Sequence, residues 1–279
     1  MAPIHTAEPE VHVVTGASSG IGRSMALQLA GPGREIWLIG RSLDALNEVA
    51  SEVEKRGAIP RIQALDLTET QASQQFLDLT FPEGKRVHSL YLVAGISLFG
   101  EVKDTLLEDW RDLYATNLLS PVQWTHHFYK HMVKERAGRI VLVASLASYA
   151  GYPTATVYAT MKAGLLGLYR SLKYEGEARG VKIHLMAPGY VDTEIYQRAG
   201  YRKTNYDDTL EVINSLGFGM ISADRAASKI LRAVDDGKTE YAFPPYAGLM
   251  KWIAPRMPWV VGIVHRQMLG HFRKHHENS

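Results

Sequence analysis

The sequence predicts an α/β fold, a doubly wound parallel sheet with helices on both faces. Two observations carry that prediction. Short runs rich in Val, Ile and Leu alternate with longer stretches in which apolar residues recur at helical spacing. Nearly every run also ends in a turn of small or polar residues, as expected of a parallel sheet that gathers ligands at the carboxyl ends of its strands.

Residues 11–15 form the first predicted strand, and Gly16-Ala17-Ser18-Ser19-Gly20-Ile21-Gly22 follows before a helical period begins at Met25, Leu27 and Leu29. Such a turn lets backbone N–H groups approach a pyrophosphate and aims the positive end of the helix at it. The spacing T-G-x-x-x-G-x-G differs from the G-x-G-x-x-G of other dinucleotide sites. A second strand, residues 35–39, ends in Gly40-Arg41-Ser42. A carboxylate after this strand would accept the ribose 2′-hydroxyl of NAD, whereas an arginine suits the 2′-phosphate of NADP. Arg41 therefore points to NADP, its alternative being an ordinary solvated loop residue. The next helix, from Leu43, is amphipathic through Leu46, Val49 and Val53 and ends by Gly57. The third strand, 61–65, runs into Asp66-Leu67, where the acid either accepts from an adenine amino group or caps a helix opening at Thr68.

The fourth strand, 87–93, leads to Ala94-Gly95, a second small-residue turn where backbone can come close to a ligand. Residues 101–135 read as one long helix whose apolar face carries a single odd member, Asn117, which must find hydrogen-bond partners or cost stability. A fifth strand, 138–143, stops at Ala144-Ser145. Beyond it, Tyr158-Ala-Thr-Met-Lys162 sets a phenol and an ammonium four residues apart, on one face if the segment is helical. A cation that close lowers a phenol pKa from about 10 by roughly 1 to 3 units, which would make Tyr158 usable as an acid or base near neutrality. The sixth strand, 181–186, closes in Ala187-Pro188-Gly189-Tyr190-Val191-Asp192-Thr193, and a helix (222–234) and a strand (239–243) complete the alternation.

Five separated elements together resemble the short-chain dehydrogenase/reductase family, of the common single-domain type: Thr15-Gly16-x-x-x-Gly20-x-Gly22, Asn117, Ser145 thirteen residues before Tyr158, Tyr158-x-x-x-Lys162, and Pro188-Gly189-x-Val191-x-Thr193. The resemblance spans about residues 10–243, with one departure: Leu92-Val93-Ala94-Gly95 stands where members carry N-N-A-G or N-A-G. It implies a Rossmann fold with seven parallel strands, an NAD(P) cofactor, and reversible hydride transfer between nicotinamide and a carbonyl or alcohol. Tyr158 would be the proton donor and Ser145 would hold the carbonyl oxygen. Lys162 would bond the nicotinamide ribose and tune the tyrosine, and Asn117 would anchor a proton-relaying water. Around the cofactor, the resemblance places Gly16, Ser18, Ser19, Gly20, Ile21 and Gly22 at the first turn, and Arg41, Asp66, Leu67, Ala94 and Gly95 at the next three. Pro188, Gly189, Val191 and Thr193 frame the carboxamide. The expected partner is a small-molecule carbonyl or alcohol, and the expected assembly is a homodimer or homotetramer.

The catalytic domain is expected over residues 1–243, with 194–220, glycine-bounded and polar, as a substrate lid inside it and 244–279 as an extension. Ile96, Leu98, Phe99, Leu146, Tyr152, Tyr190 and Ile195 are candidate pocket walls, the alternative being plain core, and their apolar and aromatic character favours a hydrophobic carbonyl compound. In the extension, Lys251, Arg256 and two interior prolines exclude an ordinary transmembrane helix. Tryptophans interleaved with basic residues over 245–270 suit either a helix packed against a partner subunit or over the active-site mouth, or a segment lying on a bilayer.

Composition narrows the classes further. The chain is 46% hydrophobic and 22% charged, with a formal net charge of +2 and charges well mixed, so a nucleic-acid surface is not expected. It contains no cysteine, which removes disulfides and thiolate chemistry and fits a reducing compartment. The first ten residues lack the basic and apolar regions of a secretory signal, so cytoplasm is the expected location. His127 and His131 are spaced i, i+4, but no third ligand is evident; no metal is expected and the histidines read as an exposed or interfacial helix face. The different-class alternative is a nucleotide-sensing protein of the same fold without turnover, against which the complete Asn117, Ser145, Tyr158 and Lys162 set argues.

Overall fold

The computed structural model describes residues 8–276. Seven strands form one sheet: β1 (Glu10–Thr15), β2 (Arg34–Gly40), β3 (Ile59–Ala64), β4 (Ser89–Leu92), β5 (Arg139–Val143), β6 (Lys182–Pro188) and β7 (Glu240–Phe243). Every pairing is parallel and the order across the sheet is β7-β6-β5-β4-β1-β2-β3. The order reverses between β1 and β4, which opens a crevice at the carboxyl ends of those two strands.

Helices cover both faces. They are α1 (Gly20–Leu29), α2 (Leu43–Lys55), α3 (Ala72–Thr80), α4 (Leu107–Tyr114), α5 (Ser120–Glu135), α6 (Thr156–Arg179), α7 (Tyr206–Ser215), α8 (Ala223–Asp235), α9 (Pro245–Arg256) and α10 (Pro258–His276). Because both sheet faces are buried, the strands read as continuous apolar runs rather than alternating ones. Val14, Ile36 and Leu38 pack with Met25, Leu46 and Ile230 beneath α1, α2 and α8. On the other face Val13, Leu90 and Ile140 pack with Phe76, Trp124 and Leu165 beneath α3, α5 and α6.

Several local expectations are revised. The stretch 101–135 is not one helix. Val102–Asp104 makes a single 3-10 turn, and α4 starts only at Leu107 because the Asp109 carboxylate accepts the Leu106 N–H at 2.8 Å and caps a new helix there. A five-residue π turn, Ala115–Leu119, then joins α4 to α5. No helix opens at Thr68: Asp66 accepts the Thr68 N–H (2.9 Å) and hydroxyl (2.7 Å), fixing a turn, and α3 begins at Ala72. The 194–220 segment is less irregular than its composition implies, since Asn205 caps α7 by accepting the Asp208 N–H at 2.9 Å. The histidines of α5 do not form one exposed face. His127 bonds Ser73 at 2.8 Å, and the buried His131 donates to the Lys85 carbonyl at 2.9 Å.

Residues 244–276 form the helix pair α9 and α10, which break apart at Met257 between Pro255 and Pro258. Their inner face packs on the domain. Lys251 pairs with Glu240 of β7 at 3.1 Å, Tyr246 stacks on Phe218 with ring centroids 4.7 Å apart, and Arg273 makes two bonds to Glu101, at 2.9 and 2.7 Å. Among the described residues no helix is long and apolar enough to cross a membrane. The reading of the N-terminus as lacking a signal falls largely on residues 1–7, outside the described residues, as are 277–279.

Candidate active site

β1 delivers Thr15 to the centre of the crevice. Its hydroxyl donates to the Tyr91 carbonyl (3.3 Å) and accepts the N–H groups of Val93 (3.1 Å) and Ala94 (3.3 Å), tying the ends of β1 and β4 together. Val93, which stands where family members carry asparagine, is thus held through its backbone by Thr15. Gly16 turns the chain with φ +68, and a Cβ there would lie 2.9 Å from the Ala94 Cα. A Cβ on Gly22 would overlap the Gly16 carbonyl. Only glycine permits this closeness, and it brings the N-terminus of α1 against the end of β4.

The result is an open groove of about 510 Å³. Gly16, Ser18, Ser19, Gly20, Ile21 and Gly22 form its floor, with Arg41, Asp66, Leu67, Ala94 and Gly95 along its sides. The groove fits a dinucleotide: its cradle is space that a Cβ would fill, and a helix N-terminus faces it. Arg41 is exposed at the end of β2 and its charge helps to hold the Asp66 carboxyl low, though the two bonds from Thr68 are the larger cause. Asp66 does not cap a helix at Thr68; its carboxylate closes the Asp66–Thr68 turn and lines the groove.

β5 and α6 supply the candidate reacting groups. Ser145 follows β5, and α6 places Tyr158 in its first turn and Lys162 in its second. Ser145 and Tyr158 face the same chamber, and the Ser145 hydroxyl accepts the Ala147 N–H at 3.2 Å. The Lys162 ammonium donates to the Val143 carbonyl at 3.0 Å and lies 5.7 Å from the Tyr158 ring centroid. It is also 3.5 Å from the position of a Cβ on Gly95, so it reaches the groove wall. The expectation that this cation lowers the phenol is not met within the polypeptide. Burial pushes the Tyr158 phenol up, opposed by the neighbouring Ser145 hydroxyl, and burial draws Lys162 down to about 8. Asn117, fully buried in the π turn, accepts the Ile96 N–H at 2.9 Å and donates to the Ile96 carbonyl at 2.8 Å.

Beside the groove lies a second cavity of about 150 Å³, which Ser145 and Tyr158 line. Leu146, Tyr152, Tyr190, Ile195 and Phe99 form its walls, as do Pro188, Gly189 and Val191, and Thr193 stands at its junction with the groove. Tyr190 donates to Tyr152 across it at 3.3 Å, and burial raises both phenols. Two expected wall residues sit elsewhere. Ile96 lines the groove instead, and Leu98 is core, packed with Leu113, Val157 and Met161. Further walls come from residues that sequence reasoning did not single out, among them Ile213 and Leu216 at the end of α7, and Met250, Val264, His265 and Met268 of α9 and α10. The i, i+4 spacing of Val264 and Met268 was the available signal, but it marks a buried face without saying what that face covers. Among the described residues no cluster of His, Asp or Glu could hold a metal.

Comparisons with known proteins agree with this geometry. A protein-family model described as short chain dehydrogenase matches residues 10–203. The 3-oxoacyl-(acyl-carrier-protein) reductase FabG of Escherichia coli is 30% identical over 233 residues, covering 79% of this chain and 92% of that protein. Among solved structures, a short-chain dehydrogenase from Sphingobium yanoikuyae in complex with NADPH superposes with TM-score 0.74 at 22% identity, over 93% of this chain and 94% of that one. A short chain dehydrogenase/reductase from Burkholderia phymatum in complex with NAD does so with TM-score 0.80 at 20% identity, over 91% and 95%. The parallel sheet, the glycine turn and these matches converge: the chain belongs to the short-chain dehydrogenase family and is an NAD(P)-dependent oxidoreductase.

Proposed function

We propose that this protein reduces hydrophobic ketones or aldehydes with NADPH. The observation that carries the reading is the junction of the two cavities: Ile21, Thr193 and Ile195 line both the nucleotide groove and the chamber holding Ser145 and Tyr158. Arg41 at the end of β2 favours NADPH over NADH, because its guanidinium can take a 2′-phosphate in a bidentate pair.

Bound in the groove, NADPH supplies a hydride. The chain supplies the proton and the orientation. Burial keeps the Tyr158 phenol in its protonated form, the form that donates to a carbonyl oxygen as negative charge builds there. The Ser145 oxygen is positioned by the Ala147 N–H, leaving its hydroxyl proton to bond the same substrate oxygen. Lys162, anchored on the Val143 carbonyl, presents its ammonium between the phenol and the Gly95 wall, where a nicotinamide ribose would lie. The chamber's aliphatic and tyrosine walls select an apolar substrate body. In the FabG relative the named activity is reduction of a 3-oxoacyl group on a carrier protein, a carbonyl on an apolar chain; a comparable group suits this chamber.

Residues 194–220 serve as the substrate lid, and the helix pair α9 and α10 covers its outer side. The cover has a second, outward face. Leu249, Trp252, Trp259 and Ile263 are between 43% and 63% exposed on α9 and α10, and Arg256 stacks on Trp252 at 5.0 Å. Residues 244–279 hold five Lys and Arg against one Glu. Exposed tryptophans with basic neighbours suit contact with an anionic bilayer surface, which would place the chamber near a lipid-like substrate. The protein is otherwise read as cytoplasmic, pairing with copies of itself through α5 and α6.

The test is nicotinamide fluorescence on titrating NADPH and NADH, followed by absorbance decay with a panel of ketones and aldehydes. NADPH binds more tightly, and Tyr158→Phe lowers turnover by about 10² to 10⁴ while its NADPH affinity stays within twofold of wild type (roughly 0.4 kcal/mol). Turnover surviving in Tyr158→Phe would remove the assigned proton donor.

A further inference from the structure

The substrate chamber contains hydrogen-bond donors that the folded chain does not use. Tyr190 donates its phenol proton to the Tyr152 oxygen at 3.3 Å, the two rings edge to face with centroids 6.2 Å apart. A phenol carries one proton and an oxygen that also accepts. Two phenols joined by one bond therefore leave one proton over. It is that of Tyr152, which finds no acceptor among the described residues. Tyr196 on the lid, its ring stacked on Phe99 with centroids 6.1 Å apart, likewise donates to nothing among the described residues.

The Tyr152 donor is set in place before any substrate arrives. Its neighbour Tyr190 is fixed through the backbone, where its N–H donates to the Tyr246 hydroxyl of α9 at 2.7 Å. The residue before it must be glycine, because a Cβ on Gly189 would overlap the Tyr246 phenol. Tyr152 also meets Phe99 edge to face, with centroids 6.4 Å apart. A donor held in this way loses little freedom on binding, so more of its hydrogen bond appears as selectivity.

The rest of the chamber decides which acceptor fits. Among the described residues, no Asp, Glu, Lys or Arg lines it. His265 of α10 does line it, with Cε1 3.9 Å from where a Cβ on Gly151 would stand. Burial lowers the His265 pKa from its ordinary value, which keeps the imidazole neutral at pH 7. A carboxylate brought here would lose its hydration and meet no cation. A neutral carbonyl oxygen would take the Tyr152 proton without that cost. A substrate with no second oxygen would leave the proton unpaired.

We propose that Tyr152 binds a second oxygen of the substrate, so that the chamber selects neutral oxo esters and related dicarbonyl compounds over simple ketones and over oxo acids. Ser145 and Tyr158 hold the oxygen that is reduced, and Tyr152 holds the one that is not. The proposal rests on reading this chamber as a carbonyl-reduction site and adds the substrate's second polar group to that reading.

NADPH oxidation is followed with methyl esters of straight-chain oxo acids that differ only in the position of the keto group, which finds the spacing that suits the chamber. The best ester is then compared with its free acid and with the ketone in which methylenes replace the ester group. In the wild type kcat/KM for the ester exceeds both by about tenfold or more, and in Tyr152→Phe the ester-to-ketone ratio falls by about tenfold, the worth of one hydrogen bond. Tyr190→Phe, which keeps the Tyr152 proton, retains more of the ratio than Tyr152→Phe, and so does Tyr196→Phe. Calorimetric binding of ester and ketone to the NADP complex of each variant gives the same ratio independently of turnover. A ratio unchanged in Tyr152→Phe, a ratio lost in Tyr196→Phe but kept in Tyr152→Phe, or a free acid reduced as fast as its ester overturns the proposal. A wild type that reduces ketone and ester equally overturns it and leaves the reductase reading standing. A wild type that reduces neither overturns that reading, and this proposal with it.

Discussion

Asn117 and Ile96 exchange two hydrogen bonds, side chain to backbone in both directions, across the 21 residues that separate β4's exit from the π turn. The pair pins the loop after β4 to the helix behind it. It thereby holds Gly95 against both the Asn117 carboxamide and the Lys162 ammonium. Asn117 is fully buried, so both bonds satisfy a carboxamide that has no access to water.

Replacing Asn117 by Ala leaves the N–H and carbonyl of Ile96 unpaired. The expected cost is about 1 to 3 kcal/mol, the net worth of two hydrogen bonds. Urea unfolding monitored by tryptophan fluorescence measures it. A loss below about 0.5 kcal/mol, the range of ordinary surface substitutions, would show that the loop finds other partners.

Lys162 makes stability depend on pH in a defined direction. Its ammonium is drawn down to about 8 by burial. Between that value and its ordinary value of about 10.4, the unfolded chain holds a proton that the folded chain has released, so this residue's contribution to stability rises with pH through the window. Below it both states are charged, and the buried cation is at its most costly. The wild type should therefore gain on Lys162→Met by about 2 kcal/mol between pH 7 and pH 10. Unfolding free energies of both proteins at the two pH values give the comparison, and a constant gap would mean that the lysine does not titrate in this range.

Arg41→Asp replaces a 2′-phosphate ligand with an acceptor for a 2′-hydroxyl. The ratio of NADPH to NADH affinity should fall by about tenfold or more, one charged hydrogen bond's worth. An unchanged ratio in fluorescence titrations would return Arg41 to the role of a solvated loop residue.

The outer face of α9 and α10 predicts binding to vesicles containing phosphatidylserine, weakened by salt, and little binding to neutral vesicles. Trp252→Ser with Trp259→Ser should abolish co-sedimentation while leaving turnover of a soluble carbonyl substrate intact, because neither residue lines the chamber. Equal binding of wild type and double variant would place the contact elsewhere, and concentration-dependent self-association lost in the variant would identify a second copy as the occupant.

Much of this protein is legible in its sequence because the relevant physics is local. A parallel strand buried on both faces must be a short apolar run, and a turn that passes a helix N-terminus within reach of a phosphate must be glycine at Gly16 and Gly22, so both features appear as residue types at fixed spacing. The four residues Asn117, Ser145, Tyr158 and Lys162 stand out for the same reason, each at a strand end or on one helical face. What local pattern could not show is how burial acts on them. The i, i+4 spacing places Lys162 beside Tyr158, but depth in the fold raises the phenol and lowers the ammonium, which reverses the expected direction for the tyrosine.

The tertiary structure alone decided which surfaces meet. The break before Leu107 depends on the Asp109 carboxylate, which Arg202 grips from 93 residues away. Ile96 and Leu98 look like pocket walls in sequence, yet backbone pairing with Asn117 and packing under α4 turn them to the groove and the core. The chamber's outer wall comes from Met250, Val264, His265 and Met268, more than ninety residues beyond Tyr158. An apolar helix face records in sequence only that it is covered; what it covers is set by long-range contacts such as Lys251 with Glu240 and Arg273 with Glu101, which no spacing encodes.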